Sequence, residues 1–427
     1  MPLPARPASP GLVEIGAFAA AVFIVLTYSQ GWTRPIAGDD NPDSALIRTL
    51  FLPGYAAGIG LLALSPWSAA KGLMRQPFLV CILTIAALSM FWSVAPDQTQ
   101  RRIFALLFTT LGGVVLAARY SWSRLAEVFA TAFAILSVVC LFTGLFVPSL
   151  GRMSDLFPGA WRGLWVEKNA FADNMAQGMA LAAAAACLNR QRAMLWGGVA
   201  ALCLFLVVMS TSKTSLISAL LGLGALGLVW AIRRGPASSI AATWVAVLGI
   251  ASVVCVAVFA SNLLLGLLGK DATLTGRTQI WSGVWRRIQA RPWQGYGYGA
   301  TWDETDKWGP LAWIVHDAGF RPRHAHNAWL EQWLALGIPG LMAWASFYLQ
   351  TLVANVVALY RDRGAYLALP FFVIFSLTSL TESIAVVYND MRWVIFVALA
   401  VKLVLPDPSR RPALPARPRP HPYAARA

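Results

Sequence analysis

The stretch LAEVFATAFAILSVVCLFTGLFV, residues 125–147, decides the fold class of this chain. Its single charged residue is Glu127, and the other residues are apolar or small. Because an α-helix rises about 1.5 Å per residue, about 20 such residues cross the roughly 30 Å hydrocarbon core of a bilayer. The stretch therefore predicts a membrane-spanning helix.

Similar apolar runs occupy most of the chain, which has 427 residues, 58% of them hydrophobic and 12% charged. A soluble domain carries about 25% charged residues. We therefore predict an all-α, polytopic integral membrane protein of about 12 transmembrane helices. The predicted spans lie near 11–28, 46–65, 77–94, 103–120, 125–147, 169–188, 193–209, 214–232, 239–267, 328–359, 364–384 and 391–406. The ninth and tenth are too long for one crossing, and GIPG at 337–340 predicts a break inside the tenth.

Basic residues in alternate loops predict the orientation of the chain. By the positive-inside rule these loops face the cytoplasm, together with both termini. The basic loop residues are Lys71, Arg75, Arg119, Arg124, Arg190, Arg192, Arg233, Arg234, Arg361 and Arg363. The first outward loop is acidic, with Asp39, Asp40 and Asp43. This orientation puts the two longest loops, about 148–168 and 268–327, on the outer face.

The predicted organisation has four parts. Residues 1–267 hold the first nine transmembrane helices with short loops, and 268–327 form a large outer loop with short interfacial helices. Residues 328–406 hold the C-terminal transmembrane helices. The segment 407–427 is rich in proline, arginine and alanine, which predicts a disordered cytoplasmic tail.

Several function classes are disfavoured. The net charge of +15 is explained by the cytoplasmic loops, and no basic–aromatic patch or zinc spacing predicts nucleic-acid binding. The five cysteines lie in apolar runs without CxxC spacing, which predicts buried side chains and no metal site. GYGYG at 295–299 predicts a closely packed turn, because no phosphate-binding βαβ pattern accompanies it. We expect no cofactor and no metal.

The histidine pair in RPRHAHNAWLEQWLALGIPG, residues 321–340, is the first candidate for chemistry. His326 lies at the mouth of a predicted span, beside His324 and Asn327 and ahead of Glu331, and we expect these three neighbours to bind substrate. A neutral imidazole accepts a proton near neutral pH, and ionisable groups at this depth are usually functional. The alternative is a structural histidine hydrogen-bonded at a helix start.

Arg277 is the second candidate. TLTGRTQIWSGVWRRIQARPW, residues 273–293, predicts a short loop followed by an interfacial helix on the outer leaflet. Its apolar face holds Ile280, Trp281, Val284, Trp285 and Ile288. We interpret Arg286, Arg287 and Arg291 as contacts to lipid headgroups. Arg277 precedes the helix, where free backbone N–H groups also favour an anion, and its guanidinium grips phosphate through two donors.

Two further segments add outward cations. Lys213 lies in the polar turn STSKTS, residues 210–215, and is suited to neutralising a diphosphate. The alternative is a loop lysine that reaches from the membrane to water. GAWRGLWVEKNAFADN, residues 159–174, carries Arg162 and Lys168 ahead of an apolar span. It suits sugar hydroxyls and phosphate, or is an ordinary helix cap.

These residues suit one reaction type. Arginine and lysine stabilise a departing polyprenyl diphosphate, while a histidine base activates an acceptor hydroxyl that attacks the anomeric carbon of a sugar. A transporter is the alternative of another class, and it predicts inverted repeats and intramembrane charges that the sequence lacks.

Three motifs resemble the O-antigen ligase/polymerase superfamily of bacterial membrane glycosyltransferases. They are His326-Asn327 followed by Gly337-x-x-Gly340, the segment GRTQIW…RPWQGYGYGATW (276–302), and WRGLWVEKNAFA (161–172). The residues of these motifs are most similar to those of the exopolysaccharide polymerase branch.

The resemblance implies metal-independent, inverting transfer of a glycan from undecaprenyl diphosphate at the periplasmic face of the bacterial inner membrane. The acceptor is another lipid-linked repeat unit in a polymerase, or lipid A–core in a ligase. The essential histidine of the family corresponds to His326 and its loop arginine to Arg277. The short outer turn usually carries arginine, whereas this chain has Lys213, which keeps the charge but loses the two-donor grip. Glu167 stands where many relatives have histidine.

Overall fold

The computed structural model describes residues 11–38, 44–154, 157–259, 276–302 and 306–406, with the backbone alone for 253–259. Within these ranges the chain is α-helical and contains no strand, apart from one isolated bridge between Arg152 and Trp161. The all-α prediction is confirmed for this part of the chain. The predicted cytoplasmic tail and residues 260–275 of the predicted ninth span and outer loop lie outside the described residues.

Eighteen α-helices are described in these ranges, and we number them in chain order. They are α1 Leu12–Tyr28, α2 Thr33–Ala37, α3 Ala45–Leu50, α4 Leu52–Leu64, α5 Pro66–Met74, α6 Pro77–Leu88, α7 Pro96–Arg119, α8 Trp122–Phe146, α9 Pro148–Gly151, α10 Lys168–Leu188, α11 Ala193–Met209, α12 Lys213–Ile232, α13 Pro236–Phe259, α14 Arg277–Ala290, α15 Pro310–Ala318, α16 Ala328–Arg361, α17 Ala365–Thr381 and α18 Met391–Val404. Pro66, Pro77 and Pro96 each start a helix, where the missing N–H costs nothing.

Six helical stretches are long and apolar enough to cross a membrane: Ala45–Leu64, Pro96–Arg119, Trp122–Phe146, Arg190–Met209, Lys213–Ile232 and Ala328–Arg361. The pair Pro66–Met74 and Pro77–Phe91, bent by 88°, counts as a seventh if it forms one broken span. This is the architecture of a polytopic membrane protein. A helix lies at each of the predicted spans, but several are short, so the number of crossings stays a prediction.

The helices pack around α18, which is enclosed by α7, α16, α17, α1 and α5. From Met391 to Lys402 every α18 residue except Arg392 is buried. The Trp393 and Phe396 rings stack at 5.9 Å, and Trp344 of α16 lies 5.6 Å from Phe396. Large apolar side chains on α1, α8, α11 and α12 are exposed instead, as expected for helices that face lipid.

The predicted break in the tenth span is confirmed at Gly337, whose φ of 68° interrupts α16. The break frees backbone groups that pair with the outer loop. The Ile338 N–H donates to the Pro292 carbonyl at 2.8 Å, and the Gly297 N–H donates to the Ala335 carbonyl at 2.9 Å. The glycines of GYGYG have φ of 63°, 101° and 66°, so the predicted closely packed turn is confirmed.

The interpretation of α14 as a helix lying on lipid is wrong for its apolar face. Ile280, Val284 and Ile288 are buried against Ile314 of α15 and Leu334 of α16. The arginines also find partners within the protein. Arg286 pairs with Asp317 at 2.8 Å, Arg287 lies 5.5 Å from the Trp313 ring, and Arg291 lies 5.1 Å from the Tyr296 ring. The helix is therefore docked on the transmembrane bundle.

Candidate active site

A nine-residue segment, ESIAVVYND at 382–390, joins α17 to α18 and organises the site. Asn389 holds it in place through three buried or half-buried contacts. Its N–H donates to the Thr109 hydroxyl, the Gln30 amide donates to its carbonyl, and the Tyr55 hydroxyl donates to its side chain, each at 2.8 Å. The segment is thus fixed by contacts with α4, with α7 and with the residues that follow α1.

Glu382, the first residue of this segment, joins the two leading candidates. One carboxylate oxygen lies 2.9 Å from Nδ1 of His326, and the other accepts from the Arg277 guanidinium at 2.8 Å. All three side chains are largely buried. Burial raises the pKa of Glu382, but the His326 hydrogen bond and the charges of both histidines and Arg277 outweigh it and lower that pKa to about 2. Glu382 is therefore a carboxylate that orients His326.

His324 lies against His326, with ring centroids 3.9 Å apart. Its Nδ1 accepts the backbone N–H of His326 at 3.2 Å, so in the neutral ring the proton lies on Nε2. Burial and the neighbouring His326 lower the pKa of His324 to about 3, so this ring is neutral at physiological pH. The structure thus brings together His324, His326 and Arg277, and their catalytic and binding roles remain predictions.

Glu331 fixes the backbone that carries both rings. Its carboxylate accepts from the Ala325 N–H at 3.0 Å, from the Ser383 hydroxyl at 2.9 Å and from the Trp302 indole. These three donors span the histidine loop, the 382–390 segment and the outer loop. The contacts support a positioning role, because one carboxylate binds both the segment that carries His326 and the segment that carries Glu382.

Asn327 caps α16. Its side-chain oxygen accepts from the Trp329 and Leu330 N–H groups at 3.0 and 3.1 Å, and its amide donates to the Leu380 carbonyl at 3.3 Å. The preceding residue, His326, has a φ of 49°, a conformation that is unusual for a residue other than glycine. The cap and the Glu331 contacts together hold this strained turn.

The remaining predicted site residues are Arg162, Lys168 and Lys213. Arg162 donates to the Leu150 and Ser149 carbonyls at 3.4 and 3.2 Å. Lys168 donates to the Thr211 hydroxyl at 3.3 Å, and its ammonium lies 3.6 Å from the Phe157 ring. Lys213 begins α12 with an exposed side chain.

Lys213 also lies beside a buried polar chain without joining it. In that chain Ser215 donates to Asp173 at 2.6 Å, and the Ser212 hydroxyl donates to Asn169 at 3.1 Å. The contacts given for Arg162 are to carbonyl groups of α9, those for Lys168 are to Thr211 and Phe157, and the bonds of Ser212 and Ser215 place Lys213 next to α10. Their substrate contacts remain predictions.

Two adjoining cavities have His324 in their walls. The first, of about 260 Å³, which we name the catalytic cavity, is lined by His324, Glu382, Glu167, Arg34 and Arg392, among others. The second, of about 330 Å³, which we name the central cavity, also has His324 in its wall, together with Glu331. The exposed Arg323 side chain borders both cavities.

Sequence reasoning missed Glu382, Arg323 and the pair formed by Asp390 and Arg392. The Arg392 Nε lies 3.0 and 3.1 Å from the two Asp390 carboxylate oxygens, on the wall of the catalytic cavity. The sequence did contain a signal for Glu382, Asp390 and Arg392, because they lie in or beside a short polar segment between two apolar spans, and charges at membrane depth are usually functional.

One cluster among the described residues has the composition of a metal site. His324, His326 and Glu382 offer ligand atoms within 4.8 Å of one another. Imidazole nitrogens and a carboxylate oxygen suit a transition metal. Arg277 already supplies a positive charge to Glu382, so the carboxylate needs no metal for neutralisation. The expectation that the reaction is independent of metal stays a prediction.

Comparisons with known proteins support the resemblance seen in the motifs. Residues 198–345 match a family model described as O-antigen ligase. The exopolysaccharide production protein ExoQ of Rhizobium meliloti is 27% identical over 338 residues, which cover 72% of this chain and 75% of that protein. Residues 198–345 include both Arg277 and His326. The comparisons confirm the predicted resemblance: this chain is similar to the O-antigen ligase family and to an exopolysaccharide production protein.

Proposed function

We propose that the chain is a membrane glycosyltransferase that polymerises undecaprenyl-diphosphate-linked repeat units into exopolysaccharide or O-antigen at the periplasmic face. The observation that carries the proposal is the contact of His326 and Arg277 with the same carboxylate, Glu382, at the edge of a cavity. The similarity to the O-antigen ligase model and to an exopolysaccharide production protein supports the same class of reaction.

The His326–Glu382 contact prepares a base. When the carboxylate accepts the proton on Nδ1, Nε2 is left with its lone pair and becomes the nitrogen that takes up a proton. Arg277 holds the other oxygen of Glu382 and keeps the carboxylate in the plane of this contact. A base with an oriented third group is the arrangement that general-base catalysis requires.

The proposed transfer is a single displacement. The acceptor hydroxyl oxygen bonds to the anomeric carbon as the bond from that carbon to the diphosphate oxygen breaks. The hydroxyl proton passes to Nε2 of His326, and the electron pair of the broken bond leaves with undecaprenyl diphosphate. Attack opposite the leaving group inverts the anomeric centre. We assign stabilisation of the leaving diphosphate to Arg277 and to the outer cations, without a metal ion.

We further propose an inner-membrane location with cytoplasmic termini. Contacts between the ends of several helices support it. Tyr120 donates to the Ala17 carbonyl at 2.8 Å, Arg192 pairs with Glu127 at 3.2 Å, and Arg75 donates to the Val404 carbonyl at 2.7 Å. These contacts involve three basic loops, the start of α1 and the end of α18. They support the grouping of these parts on one side of the membrane, which the positive-inside rule predicts.

The alternative is a ligase that transfers a lipid-linked glycan to lipid A–core. The description of the matching family model as O-antigen ligase favours it. The two functions share the donor and the base and differ in the acceptor.

The direct test is His326→Ala in proteoliposomes supplied with a purified lipid-linked donor and acceptor. We expect loss of the glycan product by a factor of about 10² to 10⁴, the usual contribution of a general base. The matched control is His316→Ala on α15, because the His316 side chain is 77% exposed. Full activity of the His326 variant, at equal insertion into the membrane, would remove the base assignment.

A further inference from the structure

The carboxamide of Asn174, on α10, is a polar group that the catalytic scheme above does not use. The residue is 3% exposed, and its side-chain oxygen is buried without a hydrogen-bond partner among the described residues. Asn174 lines the catalytic cavity together with Ala170, which precedes it by one turn on the same face of α10. A buried polar group without a partner lowers the stability of a protein, and such a group in a cavity wall is explained if a ligand binds it.

The neighbours of Asn174 on α10 differ from it in one of these two respects. Asp173 already accepts a hydrogen bond from the Ser215 hydroxyl at 2.6 Å. Gln177, one turn beyond Asn174, is fully buried, and both polar atoms of its side chain lack partners among the described residues. Gln177 lines neither the catalytic cavity nor the central cavity. Of these three residues, Asn174 alone combines an unpartnered polar atom with a place in the wall of the catalytic cavity.

The wall of the catalytic cavity has the composition that suits a sugar ring, which has an apolar face of C–H groups and hydroxyls around its edge. Trp165 lines the cavity and offers apolar surface, and its indole N–H donates to the Ser29 carbonyl at 3.0 Å, which holds the side chain in place. Asn174 offers an acceptor for a hydroxyl. The cavity volume of about 260 Å³ is below the roughly 300–1,000 Å³ of sites for drug-sized molecules, so it suits a single sugar residue.

The position of Asn174 indicates which sugar it meets. Lys168, one of the outer cations to which we assign the leaving diphosphate, is the first residue of α10, and Asn174 follows it by about 9 Å along the helix axis. Glu382, which orients the base, lines the same cavity as Asn174. The cavity is therefore suited to the sugar that is attached to the diphosphate and whose anomeric carbon reacts.

We propose that Asn174 is a specificity-determining residue whose side-chain oxygen accepts a hydrogen bond from one hydroxyl of the donor sugar attached to the diphosphate. The inference rests on the proposed glycosyl transfer and extends it to the recognition of the donor. A donor that lacks this hydroxyl leaves the buried oxygen unpaired, so the contact selects for donors that carry it.

The test is a double-mutant cycle between the residue and the substrate in proteoliposomes. The donors are the lipid-linked repeat unit and analogues in which one hydroxyl of the first sugar at a time is replaced by hydrogen. The acceptor, supplied in excess, has a CH₂ group in place of the oxygen between sugar and diphosphate, so that it cannot donate glycan. Asn174→Leu is compared with Gln177→Leu, the matched control, which removes a buried amide from the same helix outside the cavity. Comparing proteins with the same donor cancels the intrinsic reactivity of each analogue.

We expect the wild type to use one analogue about tenfold or more less efficiently than the parent donor in kcat/KM, because the analogue leaves a buried acceptor unpaired. Asn174→Leu should lower kcat/KM for the parent by a similar factor and should use the parent and that analogue equally, within about twofold. Gln177→Leu should keep the wild-type preference. Both Leu variants should have thermal midpoints equal to or above that of the wild type, because each removes a buried polar group that has no partner.

The wild-type preference retained in Asn174→Leu, or an equal loss with every donor, would show that the amide is structural and would refute the proposal. Asn174→Ala takes the place of the Leu variant if the larger side chain prevents insertion into the membrane, and the same outcomes decide it. A wild type that uses every analogue as efficiently as the parent would also refute the proposal. Absence of transfer from the parent donor by the wild type would instead refute the proposed function.

Discussion

Replacement of Glu382 by Gln tests the contacts that this carboxylate makes with His326 and Arg277. Glutamine keeps the size of glutamate and removes its charge, so it resembles the protonated acid. The pKa of Glu382 is lowered from 4.5 to about 2, and each pKa unit corresponds to about 1.4 kcal/mol. The environment therefore favours the carboxylate over the neutral acid by about 3 kcal/mol.

The same shift gives a pH dependence with a definite sign. Because the pKa is lower in the folded protein, the stabilisation by Glu382 is fully present above about pH 4.5 and is lost as the pH falls toward about 2. The wild type should therefore lose unfolding free energy over this window. The Gln variant should lack this contribution, so its stability should fall less steeply as acid is added.

Activity should fall more than stability. Without the carboxylate, Nδ1 of His326 loses its oriented acceptor, and the Arg277 charge is left without its partner. We expect kcat for glycan transfer to drop about 10² to 10⁴-fold, the range for an impaired general base. The assay is product formation in proteoliposomes, with thermal unfolding in detergent measured in parallel. A Gln variant with kcat within about threefold of wild type would refute the role of Glu382 in catalysis.

Arg277→Lys should reduce kcat/KM at least tenfold, because lysine lacks the planar guanidinium group that donates to Glu382. Arg286→Lys should stay within about twofold, since the Arg286 side chain is 60% exposed in its pair with Asp317. Equal kinetics of the two variants would show that Arg277 has only a structural role. Dialysis against a chelator should leave the transfer rate unchanged, and a strict requirement for added Mg²⁺ or Zn²⁺ would contradict the metal-independent scheme. Gly337→Ala should lower the thermal midpoint, because a Cβ would meet the Trp293 carbonyl oxygen at 2.2 Å in a backbone with φ of 68°. Gly197→Ala on α11, where a Cβ meets nothing within 4 Å, is its control, and equal midpoints would argue against the close approach.

The helices could be predicted from the sequence because hydrophobicity is a local property. Each apolar run is itself the helix, and the glycine–proline pair at 337–340 located the break in α16 without knowledge of its neighbours. The histidine pair was found in the same way, since both rings lie on one short segment.

The partners of these residues were not accessible, because they come from distant parts of the chain. Glu382 follows His326 by 56 positions and Arg277 by 105, and no periodicity connects the three. The sequence grouped Lys213 with the histidines through its predicted outward position, the hydroxyl residues around it and the family resemblance. In the structure the residues close to it in sequence, Ser212 and Ser215, bind Asn169 and Asp173 of α10, and such long-range contacts depend on helix packing that the sequence does not show.

The backbone pairing between the glycine turn and α16 limits how this protein can vary. Residues 292, 334 and 335 offer carbonyls to the N–H groups of residues 338, 296 and 297, so a one-residue insertion between 292 and 296 would put the Pro292 pair out of register with the other two. We therefore expect any lengthening of this loop that accommodates a new glycan to occur after Trp302, outside the paired residues 292–297.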